Sequence, residues 1–413
     1  MLSVSDAEGI ILNLVQPLDA EHDIEIVDLL VASDRILANP ITSQLDFPHW
    51  DNSAMDGYAV RYADVQQANT EKPAILEIIE EIPAGYQPKT TIQPGQAARI
   101  FTGAVIPSGA DTVVMQERTS REENRVFIQV APQPQEFVRR KASYYQAGNQ
   151  LLPPGIQLKA PEVAVLAATQ CPQVKVYRRP KVAIFSTGDE LVTPNTPLQP
   201  GQIVDSNNYA LATLVKESGA EPLLLGIVKD NPVALQETIA YAIANADIVL
   251  SSGGVSVGEY DYVDKILEEL GAEIHIRAVE MTPGKPLTVA NFPQQNSAIY
   301  FGLPGNPVSA LVTFWRFVQP AIKKLAGLAE GWEAKFIKVR SRDELRANGK
   351  RETYIWGKLN LVAGVYEFHK AGGTHNSGNL INLAQTNALA VLPVGQTLIA
   401  AGGEVQVLLI AAV

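Results

Sequence analysis

The sequence predicts a multidomain protein of mixed class: a central α/β domain with a mostly parallel sheet, β-rich parts on either side of it, and helices at the N-terminus. Three observations predict this. Between Lys181 and about Leu325, apolar β-favouring runs alternate with amphipathic helical stretches. Before and after that region lie short β-favouring runs broken by Pro- and Gly-bearing turns. The chain has 413 residues, of which 46% are hydrophobic and 19% charged. Such a length calls for roughly two to four cores, and such a balance excludes extensive disorder.

Taken in order, residues 5 to 16 place Ala7, Ile10, Ile11 and Leu14 on one helical face, and residues 24 to 38 do the same with Ile26, Leu29, Leu30 and Leu37. An N-terminal pair of helices is expected. From about 47 to 141, the runs AILEII, AARIFTG, DTVVMQ and RVFIQV describe a β-rich module. A helix then opens at Pro161, whose fixed φ suits a first helical turn, and it is expected to rejoin the N-terminal helices. The central region reads VAIFS and a helix at 206 to 217, PLLLGIV and a helix at 232 to 244, then DIVLS and a helix at 261 to 270. EIHIRAV, LTVANF, AIYFGL and a helix at 307 to 325 complete it, the pattern of βαβ units with helices covering a sheet. Residues 331 to 413 (AKFIKVRSR, TYIWGKLN, ALAVLPV, EVQVLLI) read as a small β-domain.

The formal net charge is −11, from 33 Lys and Arg against 44 Asp and Glu. A surface of that sign repels phosphate backbones and anionic lipid, so neither nucleic acid nor membrane is expected as a partner, and an anionic ligand must be held by local donors. Residues 331 to 413 alone hold nine basic and six acidic residues. The single cysteine, Cys171, excludes an intrachain disulfide and is expected to be a small buried residue. Acids at Asp6 and Glu8, with no Lys or Arg before Arg35, fit no export signal, and no run of about 18 apolar residues occurs. A cytoplasmic location is expected.

In an open α/β sheet, ligands bind beyond the carboxyl ends of the strands. The five segments there are TGDEL, KDN, SSGGVSVGEYD, EMTPGKP and LPGNPVS. Each alone reads as an ordinary turn; together they read as a site. SSGGVSVG offers small residues and the hydroxyls of Ser251, Ser252 and Ser256 as a phosphate cradle. It is no P-loop, because no GKS or GKT follows, and no GxGxxG opens a helix. Pro307 starts a helix whose free N–H groups favour an anion, and Lys285 adds a movable positive charge. Asp189, Glu190, Asp205, Asp230 and Asp261 fall at the same edge and suit Mg2+, while N-capping is the other reading for Asp205 and Asp261. Five histidines without ligand spacing and one cysteine argue against zinc.

The strings DNSAMDGYAVR, FTGAVIPSGADTVV, STGDEL, GQIVDSN, SGGVSVGEYDYV, PGKP and LPGNPVSA, in this order, resemble the molybdopterin molybdenumtransferase family, enzymes similar to the E-domain of gephyrin. The resemblance spans the whole chain. It implies an elongated homodimer with a shared active site and four parts per chain. These are a segmented N-terminal helical domain (1–46 plus 142–178), an inserted β-rich module (47–141), an α/β molybdopterin-binding domain (179–328) and a C-terminal β-domain (329–413). The implied activity is insertion of molybdate into adenylylated molybdopterin with release of AMP, assisted by Mg2+.

By matching motif positions, the resemblance implies Asp56, Thr102, Asp189, Glu190, Asp230, Asp261 and Lys285 as catalytic residues, with Glu190 and Asp261 on the metal. Ser252, Gly253, Gly254, Ser256, Pro304 and Pro307 would line the pterin pocket, and Lys285, Pro286, Arg351 and Ser377 would hold molybdate. Three positions depart from the family's pattern. Asn149 stands where many members have an acid, Thr282 where some have a lysine, and Trp356 where an arginine is common. Molybdopterin adenylyltransferase and molybdoenzyme maturation proteins are the implied partners. Two other functions fit the same fold: molybdopterin adenylyl transfer, one step earlier, and a gephyrin-like scaffold without catalysis.

Overall fold

The computed structural model describes residues 1–253, 260–294 and 298–411. The chain forms two compact units, one of Met1–Asn39, Pro154–Lys159 and Gln173–Val413, the other of Pro40–Pro153 and Ala160–Pro172.

The second unit is built on a six-stranded sheet in the order Thr112–Met115, Gly57–Val60, Gln96–Ile100, Ala74–Ile82, Arg125–Ile128, Thr119–Glu122. Only the pairing of Ala74–Ile82 with Gln96–Ile100 is parallel. Residues that alternate along these strands bury opposite faces: Tyr58 and Val60 in one cluster, Ala59 and Ile100 in another. The helix Ala160–Ala168 carries Pro161 in its first turn, as expected. Cys171 is half-buried, not buried.

The first unit holds the central α/β domain. Its elements are β1 (Lys181–Thr187), α1 (Asn207–Glu217), β2 (Glu221–Val228), α2 (Pro232–Asn245), β3 (Ile248–Ser252), α3 (Tyr260–Glu269), β4 (Glu273–Ala278), β5 (Pro286–Asn291), β6 (Ile299–Leu303) and α4 (Pro307–Thr313). The sheet order is β2-β1-β3-β6-β5-β4. Neighbours from β2 to β6 pair in parallel, while β5 is antiparallel to both β6 and β4. Five strands therefore point the same way, and β5 begins where they end.

Strand β1 is buried from Val182 to Thr187, and β3 and β6 throughout, because both faces of the sheet are covered. On one face Val182, Ile184 and Leu250 pack with Leu211 of α1 and with Val4, Ala7 and Ile11 of the N-terminal helix Val4–Leu14. On the other, Phe185 and Val249 pack with Leu235 and Ile239 of α2 and Ile266 of α3. Each such buried Ile, Leu or Phe contributes about 1.5–3 kcal/mol.

The second expected N-terminal helix is not formed. Residues Ile24–Asp28 are a strand antiparallel to Gln173–Tyr177, and Leu29–Val31 is a single 3-10 turn. The proposed apolar face is split, with Ile26 63% and Leu30 96% exposed, Leu29 half-buried and Leu37 fully buried. Ile24, Ile26 and Val27 are β-branched and favour extended backbone, and a distant partner strand completes the pairing.

The helix expected at 307 to 325 is present but passes through a π-helical turn at Phe314–Val318. That turn carries Arg316, whose guanidinium is buried and bound to both carboxylate oxygens of Glu8 and to the Tyr354 hydroxyl. The C-terminal strands Phe336–Ser341, Glu352–Val362, Val365–Lys370, Ala388–Leu392 and Glu404–Leu409 close on themselves, since Glu352–Val362 pairs with both Val365–Lys370 and Ala388–Leu392. The result is a small β-barrel around Val339, Ile355, Phe368 and Val407.

Candidate active site

The carboxyl ends of β1, β2, β3 and β6 open onto a cleft of about 810 Å3, lined among others by Glu190, Asp230, Ser252, Gly253, Pro304 and Pro307. Its floor depends on close backbone approach. Gly253 has φ +96°, and a Cβ there would lie 2.3 Å from the Thr187 carbonyl oxygen, so only glycine fits. Asn207, in the first turn of α1, donates from Nδ2 to the Ser252 hydroxyl (2.5 Å) and to the Gly305 carbonyl (2.9 Å). The loops after β3 and β6 are thereby bolted together. Two further floor atoms, Thr187 Oγ1 and Asn207 Oδ1, are buried without a partner among the described residues, and such atoms call for a ligand or water.

The carboxylates divide by role. Asp205 is buried and accepts from the Ser186 hydroxyl, the Asn208 side-chain amide and the Asn208 N–H, so from just before the N-cap Ser206 it holds the first turn of α1. Glu190 is exposed in the cleft, and its carboxylate has no hydrogen bond among the described residues. Gly188 permits its position, because a Cβ there would lie 2.7 Å from the Glu190 carboxylate. Asp189 is exposed and accepts the Asp230 N–H at 3.5 Å. Asp261 lies in α3 with its side chain outside the described residues, and Gly254 and Ser256 lie outside them altogether.

A second hollow of about 490 Å3 adjoins the first and shares Pro286, Asn306 and Ser309 with it. Lys285, Arg351 and Ser377 line this one, with Arg346 and Lys370 in the same wall. Lys285 is exposed, and Arg351 donates to the Met281 carbonyl at 3.4 Å. Ser377 is held by its own carbonyl, which accepts the N–H of Val308 at 3.1 Å. That bond occupies a donor of the helix start expected to serve an anion.

Two of the three departures fall in this hollow. Trp356 is 1% exposed, and its ring lies 4.3 Å from that of His375. His375 Nε2 donates to the Ala371 carbonyl, and burial holds the imidazole below its ordinary pKa. The Thr282 hydroxyl is buried without a partner among the described residues. Sequence reasoning found none of Asn207, Arg346, Lys370 or His375. An Asn opening a helix at the edge where the strands end was the available signal for Asn207; the barrel residues carried no local signal.

Asp56 and Thr102 belong to the second unit, as does Asn149. Asp56 Oδ1 accepts the Thr102 N–H (2.8 Å) and hydroxyl (2.7 Å), and these bonds hold the Asp56 carboxyl below the usual carboxylate range. Asn149 accepts from the Tyr145 hydroxyl through its backbone carbonyl.

Among the described residues no three His, Cys, Asp or Glu gather to hold a metal unaided. Mg2+ asks for less: one or two carboxylates, with water and substrate phosphates completing its shell. Glu190 and Asp230 on one cleft fit that demand. No helix among the described residues is long and apolar enough to cross a membrane.

Comparison with known proteins gives three family matches. Residues 2–169 match the MoeA N-terminal region (domain I and II), 183–324 a probable molybdopterin binding domain, and 338–410 the MoeA C-terminal region (domain IV). The chain is 72% identical over 408 residues to the molybdopterin molybdenumtransferase of Nostoc sp., covering 99% of this chain and 94% of that protein. It is 39% identical over 328 residues to that of Haemophilus influenzae, covering 79% and 78%. The crystal structure of the molybdopterin biosynthesis moeA protein from Pyrococcus horikoshii matches with a TM-score of 0.84 at 29% identity, over 99% of this chain and 100% of that one.

Proposed function

The chain belongs to the MoeA family of molybdopterin molybdenumtransferases, and from that premise we propose that it is the transferase that inserts molybdenum from molybdate into adenylylated molybdopterin and releases AMP. The observation that carries this reading is the pair of adjoining hollows on one sheet edge, one lined by Glu190 and Asp230, the other by Lys285, Arg351 and Ser377.

The substrate's phosphates lie against the glycine-floored loop at Ser252–Gly253, tied to Gly305 by Asn207. Carboxylates in the same cleft repel those phosphates unless a cation stands between them, which is the physical case for Mg2+ held by Glu190 and Asp261 with Asp189 and Asp230 nearby. When bound, Mg2+ supplies charge neutralisation at the phosphoanhydride being broken. Lys285, Arg351 and Ser377 hold molybdate, a compact dianion, through charge-assisted bonds. Pro286, shared by both hollows, puts the two substrates side by side, so positioning supplies much of the rate.

The protein acts in the cytoplasm as a homodimer, in which Asp56 and Thr102 of one copy serve the site of the other. Ile26, Leu30 and Val31, exposed by 63%, 96% and 64%, favour association between copies. Purified protein given adenylylated molybdopterin, molybdate and Mg2+ is expected to release AMP. In a parallel assay with molybdopterin, ATP and Mg2+, release of pyrophosphate would instead make it an adenylyltransferase, and neither product in either assay would leave a scaffold. The shared site has its own test. Asp56→Asn and Lys285→Ala, each impaired alone when molybdate is scarce, are expected to recover part of the lost activity when mixed, because random exchange makes about half of the dimers hybrids with one intact site. No recovery after demonstrated exchange would exclude a shared site.

A further inference from the structure

We propose that the protein carries a second anion site at the opposite edge of the central sheet, where Arg179, Lys216, Lys323 and Lys335 line a hollow of about 710 Å3 and bind a phosphorylated small molecule. Arg179 and Pro180 precede β1, and Gly219 precedes β2, so the hollow opens beside the amino ends of these strands. The seven residues of β1 put it about 20 Å from the cleft at their carboxyl ends.

The charges here do not cancel as they do nearby. In the same hollow Arg35 is paired with Glu25, Lys159 with Asp34, and Arg178 with both Asp23 and Asp247. Among the described residues, the side chains of Arg179, Lys216, Lys323 and Lys335 have neither a hydrogen bond nor an ion pair. Among the described residues, only Glu217 and Glu330 stand against them in the lining without partners of their own. An excess of positive charge thus collects in one concavity of a chain whose net charge is −11.

Lys323 shows the strain of this arrangement. It is half-buried, and burial first, then the charge of Lys335, hold its ammonium below the usual lysine range. Two ammonium groups near enough to repel, one of them partly desolvated, weaken the fold unless an anion joins them.

Helix ends explain part of the set. Lys216 and Lys323 lie in last turns, where cations offset the dipole. Arg179 and Lys335 lie on no helix, and Lys324 already serves the last turn of Gln319–Leu325. The volume suits a nucleotide-sized ligand, and Tyr177 and Leu328 give the hollow an apolar wall against which a base can rest.

The test titrates pyrophosphate and ADP, without Mg2+ and at constant ionic strength, into the full-length protein and into Lys323→Gln/Lys335→Gln. Calorimetry and thermal unfolding are the readouts. Saturable binding to the wild type with a raised Tm is expected, weakened about tenfold or more in the double variant. The ligand-free Tm of that variant is expected to stay level or rise, because repulsion is relieved, whereas a merely structural role for the lysines would lower it. Tighter binding of ADP than of pyrophosphate assigns the apolar wall to the base and supports the site. Should the double variant not fold, the exposed Arg179→Gln serves in its place. Absence of saturation in the wild type, or equal affinity in wild type and variant, which would put the anion in the carboxyl-edge cleft, overturns the proposal.

Discussion

The two hollows at the carboxyl edge share Pro286, Asn306 and Ser309, yet they carry opposite charge. The larger presents Glu190 and Asp230; the smaller presents Lys285, Arg351 and Lys370. The two ligands of the proposed reaction make opposite demands. A phosphoanhydride that is to be broken needs a divalent cation, and that cation needs carboxylates. A bare oxyanion needs cations and is repelled by carboxylates. On the proposed reading, these separate linings would let an acidic chain meet both demands side by side.

Neutralising the proposed metal pair tests this most severely. Glu190→Gln with Asp261→Asn is expected to cut Mg2+-dependent AMP release by about a hundredfold or more, with unchanged circular dichroism. Wild-type turnover in that variant would remove the carboxylates from the chemistry and break the contrast. A smaller effect is expected in the other hollow. Lys285→Ala should raise the molybdate requirement about tenfold, the cost of one charge-assisted contact, and leave the affinity for adenylylated molybdopterin nearly unchanged. Equal weakening of both would assign Lys285 to the phosphates and merge the two hollows into one.

The smallest effect sharpens the contrast with a third carboxylate. Asp56 differs from Glu190 in being held by the Thr102 N–H and hydroxyl, which lower its pKa. A depressed carboxyl pKa contributes stability above the unfolded value and loses it as pH falls through the folded one. Thr102→Val keeps the N–H and removes the hydroxyl, so the Asp56 titration followed by carboxyl-carbon NMR is expected to move upward toward the ordinary value. An unmoved titration would show that the hydroxyl does not matter.

The central domain was legible because its signals are local. A run such as VAIFS followed by an amphipathic stretch can be little else, and the five loops after the strands identify an edge once the strands run together. Residues 24 to 38 misled for the complementary reason. Their apolar spacing fits a helix, and what makes them a strand is a partner at Gln173–Tyr177, far along the chain. The same limit hid the contact of Trp356 with His375, which follows from the pairing of Glu352–Val362 with Val365–Lys370. Arg316 left a clue that went unread. A charged residue inside the buried run FWRFV needs a partner, and Glu8, the partner it has, lies in the N-terminal helix.

The bridge between Glu8 and Arg316 spans 308 residues, which gives it a duration as well as a distance. At a synthesis rate of 5 to 20 residues per second, the helix that carries Glu8 waits roughly 15 to 60 s before Arg316 is made. In the first part of that interval, until β1 is made, Ala7 and Ile11 of the same helix lack every strand of the central sheet that later buries them. The nascent chain therefore carries an unsheltered amphipathic helix until the central sheet begins to form, and Glu8 meets its partner only after every strand of that sheet has been made.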